Sequence, residues 1–384
     1  KGLTSGDSNV AIGSEALDAL TTGSDNIAIG KGALSAVLTV GDNLAIGRDA
    51  MLLHTTGNQN TAVGHYTLDS SASDMVRNTA LGYNTLATLN HANADNNTAL
   101  GAFSGLSLTQ GQSNVFVGDG SGYLGTTVSY AVCIGSNAGH GAMDTNANFS
   151  IFIGQDAGYS VTTGAKNLAI GGYAMQKHTT GSRNMAIGYG AMDDTDANDC
   201  PTSIDNIFVG YDSGGGTWTT DDSNYNVAIG NYTMDAAMNG AVNNTALGHL
   251  SLTEVTTGSY NVAVGSNSGD ALTTGHGNVL LGYHAGSAVD TQSSLILIGR
   301  SAGGSINDNN ANGAIALGHS ALGSLTTGAG NIAIGYQALL EHTAQDDNTV
   351  LGYQAAFNTN NSHCAENVFI GKLSGGGSWG GTAR

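Results

Sequence analysis

The chain has 384 residues, of which 59 are Gly, 1 is Pro, 10 are Lys or Arg and 29 are Asp or Glu. Charged residues make up 10% of the sequence, against about 25% in ordinary soluble domains, so its polarity comes mainly from Asn, Thr, Ser and Gly. The net charge of −19 and the few scattered cations leave no basic stripe for phosphates, which excludes nucleic acid as an expected partner and disfavours an anionic membrane surface.

The amino terminus gives no sign of a targeting segment. The chain starts at Lys1-Gly2-Leu3-Thr4, which is neither a signal peptide nor an initiator Met. No apolar run approaches the roughly 18 residues of a membrane span, so no membrane insertion is expected. We expect the chain to be a piece of a longer protein.

A short motif, Asn-apolar-Ala-Ile-Gly, recurs along the chain from Asn9–Gly13 to Asn367–Gly371. It occurs in 21 copies, and 12 of the 20 intervals between their closing glycines are 17 residues, with the others between 18 and 22. This period is too short for a pair of helices, and frequent Val, Ile and Thr with a single Pro favour short strands. We therefore predict an all-β, parallel β-solenoid (β-roll) of about 21 coils, forming one elongated domain over residues 1–384.

Each coil is predicted to hold two short strands. The first is the motif itself, and the second follows the closing glycine, with a small residue three places on, as at Ala16 and Ala33. A turn then closes the coil, often as Thr-Thr-Gly, because glycine adopts positive φ without steric cost. The extra residues of the longest coils follow the second strand, as in 193–205 and 358–366, so they decorate one edge and keep the ladder in register.

Asn occupies the first motif position in 17 of the 21 copies. A stacked side-chain amide can donate to the coil on one side and accept from the coil on the other, which favours a structural ladder over a ligand site. Representative members of the predicted ladder are Asn9, Asn26, Asn43, Asn60, Asn184 and Asn331.

Two positions in each copy change volume together: the residue two before the closing glycine and the residue four after it. Ala45 occurs with Met51, whereas Phe152 occurs with Gly158, and 19 of the 21 copies follow this rule. The two exceptions are the pairs Ala99 with Gly105 and Ala263 with Gly269. Close packing tolerates volume-conserving exchange better than gaps or overfilling, so the two side chains are predicted to share one core pocket.

The other two strand positions are also apolar in most copies. Alternation places them on the face opposite the shared pocket, where they form an apolar stripe represented by Val10, Ile12, Ile27, Ile29, Ile332 and Ile334. An exposed stripe larger than a few hundred Å² marks an interface, so we predict that another chain covers it. If the strands instead turn these residues toward the core, the volume-paired residues form the exposed stripe and need a covering chain. An oligomer is therefore predicted with either orientation of the strands.

No pattern typical of an enzyme occurs in the sequence. The 11 His are isolated, without zinc-binding spacing, and neither GxSxG nor the phosphate-binding GxxxxGK[ST] is present. Glu is rare and most Asp fall in turns, which does not indicate a carboxylate pair for glycoside cleavage. We predict that the chain is not an enzyme and uses no organic cofactor.

The insertion over residues 193–199 is the one segment that resembles an ion site. Asp194, Asp196 and Asn198 place oxygen side chains at alternate positions, as in the opening of a calcium loop. The segment lacks the Gly and the closing Glu of an EF-hand, so a solvated acidic loop is the favoured interpretation. Calcium is the only ion that the sequence leaves open.

Several aromatic side chains are predicted to be exposed. They are Trp218, Trp379 and the tyrosines that directly follow closing glycines, namely Tyr83, Tyr189, Tyr211, Tyr283, Tyr336 and Tyr353. Aromatic rings can stack on sugars, but a tyrosine that recurs at one repeat position favours a packing ladder. Cys133 takes a strand position otherwise held by Ala or Phe and is predicted to be a small core residue.

The repeat N-x-A-I-G-x-x-A-L-x-x-x-T-T-G, over residues 9–375, resembles the head repeats of YadA-like trimeric autotransporter adhesins, and more closely the longer version in bacteriophage tail-fibre proteins. The resemblance implies a left-handed parallel β-roll, three chains around a common axis and attachment to a cell surface. The sequence departs from the complete proteins in having no coiled-coil stalk, membrane-anchor barrel or chaperone domain, so flanking regions are expected.

The leading hypothesis is a structural and adhesive fibre of a virion, a tail-fibre shaft or receptor-binding region that attaches to a bacterial surface. As a homotrimer it would bind surface glycan or outer-surface protein through repeated edge loops, where weak sites gain from avidity. The alternatives are a bacterial surface adhesin of the trimeric autotransporter type and a purely structural extracellular filament. An ice-binding solenoid is disfavoured because the Thr residues cluster at turns.

Overall fold

Each repeat of the sequence folds as one coil in a computed structural model that describes residues 5–70, 74–195, 202–359 and 365–377. The chain divides into two compact units, Lys1–Gly190 and Ala191–Arg384, and each is described by itself. In both units the fold is the predicted all-β parallel solenoid, because each coil adds one short strand in parallel to the strand of the coil before it. The assignment of residues 1–384 to one elongated domain stays a prediction.

Every strand is three residues long and lies between the Asn and the closing Gly of its motif. The first unit holds β1 (Val10–Ile12), β2 (Ile27–Ile29), β3 (Leu44–Ile46), β4 (Thr61–Val63), β5 (Thr79–Leu81), β6 (Thr98–Leu100), β7 (Val115–Val117), β8 (Val132–Ile134), β9 (Ile151–Ile153), β10 (Leu168–Ile170) and β11 (Met185–Ile187). The second unit holds β12 (Ile207–Val209), β13 (Val227–Ile229), β14 (Thr245–Leu247), β15 (Val262–Val264), β16 (Val279–Leu281), β17 (Ile296–Ile298), β18 (Ile315–Leu317), β19 (Ile332–Ile334), β20 (Thr349–Leu351) and β21 (Val368–Ile370).

Consecutive strands pair in parallel and in the register of the motif. The ladder runs from β1 to β11 in the first unit. It runs from β12 to β21 in the second unit. Equivalent residues therefore lie one above the other, as Ala11 lies beside Ala28 and Ala45 beside Ala62.

The segment after the closing glycine is a run of turns and not the second strand that we predicted. Its residues two and four places after the glycine take left-handed backbone, as with φ of 65° at Glu15 and 51° at Leu17. The backbone still bonds to the next coil, since the N–H of Leu17 donates to the carbonyl of Ala33 at 3.1 Å. Alternate left-handed residues are incompatible with extended geometry, so each coil has one strand.

Two longer coils contain a short 3-10 helix each, and these are the only helices in the described ranges. They span Thr145–Ala147 and Asn309–Ala311. Each begins after an Asp whose side chain accepts from a backbone N–H two residues on, so the insertion is capped locally and the strand ladder continues past it.

The shared core pocket that the volume rule predicts is present. A Cβ built on Gly158 would lie 2.4 Å from Cδ1 of Phe152, and one built on Gly139 would lie 2.5 Å from Sγ of Cys133. Cys133 is a fully buried free cysteine, and burial raises the pKa of its thiol. It is therefore a core residue, as predicted.

The two exceptions to the volume rule are filled from neighbouring coils. A Cβ on Gly105 would lie 2.9 Å from Cδ2 of Phe116, and one on Gly269 would lie 2.5 Å from Cδ1 of Leu280. Leu86 of the preceding coil comes nearer still to Gly105, at 2.6 Å from such a Cβ, so bulky side chains of the adjacent coils take the space that Ala and Gly leave and the core stays packed.

The closing glycines stack into a column at the tightest corner of the coil. Gly64 takes a φ of +138°, and a Cβ on it would lie 1.9 Å from the carbonyl oxygen of Gly82 in the next coil. Neither the backbone conformation nor the contact leaves room for a side chain at this position.

Candidate functional site

An exposed apolar stripe runs along the strands of each unit. In β2 to β20 the middle residue of the strand is buried, whereas the two outer residues point away from the core and are half-buried or exposed, as in β2, β6 and β15. Of the stripe residues predicted from the sequence, Val10, Ile12, Ile27 and Ile334 are exposed, and Ile29 and Ile332 are half-buried.

The stripe is almost wholly aliphatic. Its 42 positions, two in each of the 21 strands, are Val, Ile, Leu or Met except for Thr61, Thr79, Thr98, Thr245 and Thr349. No position carries a charge. Soluble single chains rarely expose a contiguous apolar patch of more than a few hundred Å², so this surface is typical of an interface.

The corner asparagines form a hydrogen-bonded ladder from coil to coil. Oδ1 of Asn43 accepts from the backbone N–H of Asn60 at 3.1 Å and from its Nδ2 at 3.3 Å, while Nδ2 of Asn43 donates to the carbonyl of Gly57 at 3.1 Å. Bonds of the same kind involve Asn9, Asn26, Asn184 and Asn331. These amides bind neighbouring coils, which makes the corner a structural element.

Aromatic rings stack along the surface in columns. One column in the first unit has ring centroids 4.7 to 6.3 Å apart and consists of Tyr66, Tyr83, Phe103, Tyr123, His140 and Tyr159. The guanidinium of Arg48 lies 4.7 Å from the centroid of Tyr66. In the second unit His319, Tyr336 and Tyr353 form a shorter column.

The tyrosines that follow closing glycines are exposed, as predicted. They are Tyr83, Tyr189, Tyr211, Tyr283, Tyr336 and Tyr353. Each has an aromatic neighbour, mostly in an adjacent coil. Their rings pack on one another, which agrees with the packing ladder that the repeat position favoured.

Trp218 is buried, so its predicted exposure was wrong. Its ring lies edge-on to Phe208 with centroids 5.7 Å apart, and its Nε1 donates to the carbonyl of Gly214 at 3.2 Å. In this long coil the indole packs into the core against Phe208, and its N–H finds an acceptor there. Trp379 lies outside the described residues.

The candidate calcium residues are only partly described. Oδ2 of Asp194 accepts from the hydroxyl of Thr217 at 2.6 Å, and Asp196 and Asn198 lie outside the described residues. Within the described ranges no three His, Cys, Asp or Glu side chains are grouped to hold a metal ion. Calcium at this insertion stays a prediction.

Three histidines are buried at the same corner of their coils, a position that the sequence analysis missed. Nε2 of His342 lies 3.1 Å from the carbonyl oxygen of Gln345, and burial lowers the pKa of this histidine. The same contact joins His54 to Gly57 and His178 to Gly181. The signal was their spacing seven residues after a closing glycine, where Leu325 and other aliphatic residues stand in other coils.

One carboxyl group in the second unit has a strongly altered acidity. Burial, together with the negative charges of Asp212 and Glu254, raises the pKa of Asp235 to about 6. The folded unit therefore favours the protonated form of Asp235 in weak acid.

No helix within the described part of the chain has the length and apolar character needed to cross a membrane. The chain matches no protein-family model and no curated protein.

Proposed function

We propose that the chain is part of a structural and adhesive fibre, a bacteriophage tail-fibre shaft or receptor-binding region that attaches the virion to a bacterial surface. The observation that carries the proposal is the exposed apolar stripe, which needs a cover of matching length and period. The resemblance of the repeat to tail-fibre and YadA-type head repeats supports the same function.

In this proposal three left-handed copies pack stripe to stripe around a common axis. Each coil advances by one strand spacing, about 4.8 Å, so a second copy of the same solenoid matches the stripe coil by coil. The absence of charge from the stripe suits a buried seam between identical chains, since no unpaired charge is taken out of water. Burial of its Val, Ile and Leu side chains would stabilise the assembly.

The outer surface of such a fibre would carry the adhesive function. Columns of exposed and half-buried rings and the loops at one edge recur from coil to coil, so one fibre presents many similar contact surfaces to a cell. Weak individual contacts with glycan or outer-surface protein then combine into firm attachment.

The threonines of the turns argue against the ice-binding alternative. The hydroxyl of Thr21 donates to the carbonyl of Leu38 at 2.7 Å, and that of Thr326 donates to the carbonyl of Thr343 at 2.8 Å. These hydroxyls bind the next coil, whereas an ice-binding face needs ranks of hydroxyls that are free on a flat surface.

Light scattering after size exclusion tests the assembly. We expect a mass of three times 38.5 kDa, about 115 kDa, for the chain. The double variant Leu81→Lys/Leu100→Lys places charges in the stripe and should shift the mass toward 38.5 kDa. The control Leu38→Lys/Leu124→Lys changes two similarly exposed leucines outside the stripe and should leave the mass unchanged.

A stable monomer of the unaltered chain, or equal masses for both double variants, would refute the covered stripe. Binding of the labelled protein to bacterial cells then separates an adhesive fibre from a structural filament without a ligand.

A further inference from the structure

Two columns of residues border the exposed apolar stripe. The first edge is the residue directly before the first motif position of each coil, as at Asp25 and Asp42. The second edge is the residue directly after each closing glycine, as at Lys31 and Arg48. These four side chains are exposed. Because the stripe residues of each strand lie between the two edges along the chain, a molecule that covers the stripe also meets its edges.

Both edges stack from coil to coil. On the first edge, the rings of Tyr130 and Phe149 lie parallel with centroids 4.9 Å apart. On the second edge, the rings of His319, Tyr336 and Tyr353 stack with centroids 5.1 and 5.2 Å apart. In these coils each edge presents one side chain per coil at about the spacing of the strands.

The cations of the chain are concentrated on these two edges. The chain has 10 Lys and Arg in 384 residues, and seven of them stand on the edges, which are only two positions in each of the 21 coils. They are Arg77, Lys166 and Arg183 on the first edge and Lys31, Arg48, Arg300 and Lys372 on the second edge. Lys and Arg can lay an apolar stem along an apolar surface and keep the charge in water, which suits the border of a seam.

Opposite charges occupy the two edges of the same coil. The coils with a charge on both edges carry the pairs Asp25 with Lys31, Asp42 with Arg48 and Glu366 with Lys372. In each pair the acid is on the first edge and the base is on the second. Acids outnumber bases by 29 to 10 in the chain, so two acids would be the commonest pair if charges were placed at random.

These pairs are not formed within one chain. In the described residues, no ion pair joins the acid and the base of any of these three coils. The guanidinium of Arg48 instead reaches the neighbouring Asp49, with Nε 3.9 Å from Oδ2. The corner residue, the three-residue strand and the closing glycine stand between the members of each pair, so the stripe keeps the charges apart.

A parallel neighbouring copy would bring the charges together. When two copies pack stripe to stripe and run in the same direction, the first edge of one copy borders the second edge of the next. Equivalent coils then lie at the same height and all three pairs can form, whereas a shift by one coil allows at most two pairs of opposite charge between the edges. An antiparallel copy places each edge beside its own kind and forms none of the three. Charges that border the apolar seam of a coiled coil set the orientation of its chains in the same way.

We propose that the acids of the first edge form ion pairs with the bases of the second edge on a neighbouring copy, and that these pairs hold the copies parallel and in register. The pairs are Asp25 with Lys31, Asp42 with Arg48 and Glu366 with Lys372. The inference rests on the proposed fibre function, because it takes the cover of the stripe to be a second copy of the chain. Exposed ion pairs add little affinity, so their effect is to disfavour antiparallel and shifted packing.

Carbodiimide coupling of the whole chain tests the contact directly. The reagent activates a carboxylate, the amine of a touching Lys forms an amide with its carbon, and the displaced carboxylate oxygen leaves in a urea. We expect covalent oligomers on a denaturing gel and amide-linked peptides that join Asp25 to Lys31 and Glu366 to Lys372.

Conservative variants show which amines react. Lys31→Arg/Lys372→Arg keeps both charges but removes both amines, so it should lose the covalent oligomers while the mass in solution stays unchanged. Lys166→Arg is the matched control, since it removes the amine of an edge Lys whose coil has no acid on the opposite edge, and it should keep the oligomers.

Charge exchange provides a second measurement. Lys31→Glu/Arg48→Glu places acids on both edges and should raise the concentration at which half of the chains are assembled by about tenfold or more. Adding Asp25→Lys/Asp42→Lys to the same chain restores opposite charges and should return that concentration to within about threefold of the unaltered value. Concentrated salt should reduce both differences, because it screens exposed charges.

Particle mass, measured on the same samples, separates the edge contacts from the proposed fibre. An assembled chain without these links, covalent oligomers that persist in Lys31→Arg/Lys372→Arg, or a charge exchange that restores nothing would overturn the ion pairs and keep the fibre. Parallel dimers with both links would keep the edge contacts and refute a fibre of three copies. A monomeric unaltered chain would refute both.

Discussion

Replacing Phe152 by Ala and Gly158 by Leu together should destabilise the coil less than either replacement alone. Phe152→Ala empties the shared pocket, and Gly158→Leu overfills it, because a Cβ on Gly158 would lie 2.4 Å from the Phe152 ring. The double variant recreates the Ala and Leu pair that other coils use, as with Ala28 and Leu34.

The structure gives the size of each effect. Phe152 is fully buried, so its truncation to Ala should cost about 3–5 kcal/mol. Gly158→Leu should cost about 1–2 kcal/mol for left-handed backbone and about 1–3 kcal/mol for overpacking. In the double variant only the backbone cost of about 1–2 kcal/mol remains, and Leu34 already adopts a φ of 48° at this repeat position. The two changes should therefore couple by at least about 3 kcal/mol.

Amide hydrogen exchange of Ile151–Ile153 is the suitable assay, because it reports the opening of one coil where a solenoid need not unfold as a whole. Phe152→Ala combined with Gly122→Leu is the control, since Gly122 faces Phe116 two coils away and the pair should be additive. If the double variant at Phe152 and Gly158 lowers the opening free energy of the coil by the sum of the two single effects, the side chains do not share a pocket.

Three further variants test the corners and the titrating groups. Asn97→Ala should lower the opening free energy of its coil by about 2–4 kcal/mol, seen in hydrogen exchange, because Asn114 loses the acceptor for its N–H at 3.1 Å and for its Nδ2 at 3.0 Å; unchanged exchange would contradict the ladder. His342 has a pKa below its ordinary 6.5, so stability should fall as the pH drops below about 6.5, and His342→Leu should reduce that fall in the thermal midpoint between neutral and mildly acidic pH. Asp235 has a pKa raised from 3.8 to about 6, so it contributes stability that is lost as the pH rises through about 6. Asp235→Asn should therefore raise the thermal midpoint above pH 6 and leave it nearly unchanged below pH 3.8. An equal effect in both pH ranges would exclude titration of Asp235 as the cause.

The coil, its strand and the shared pocket could be predicted because the sequence repeats them many times. One coil pairs the large Phe152 with Gly158, and another pairs the small Ala45 with the large Met51. This conserved total volume indicates a shared pocket, and the structure places Phe152 against Gly158. The outer strand residues could be predicted as a stripe because a period of two follows from strand geometry.

The segment after the closing glycine could not be predicted, because its conformation contradicts local preference. Leu17 and Met51 take left-handed backbone with φ of 51° and 53°, which non-glycine residues adopt at a cost. Core packing and hydrogen bonds to the next coil offset that cost, and neither is visible in the propensity of a single residue. The burial of Trp218 could not be predicted for a related reason, since its contact with Phe208 forms only in the folded coil.

The column of closing glycines also limits which substitutions, insertions and deletions the fold can accept. A side chain at Gly64 would collide with the carbonyl of Gly82, and the same kind of contact excludes side chains at closing glycines such as Gly30, Gly101 and Gly335. Removal of a complete 17-residue repeat, such as 27–43, would instead bring Leu44 beside Val10 in the register that Ile27 now holds, with all stacked positions preserved. Insertions and deletions of whole repeats therefore preserve the stacking, and related chains should differ in length by entire coils.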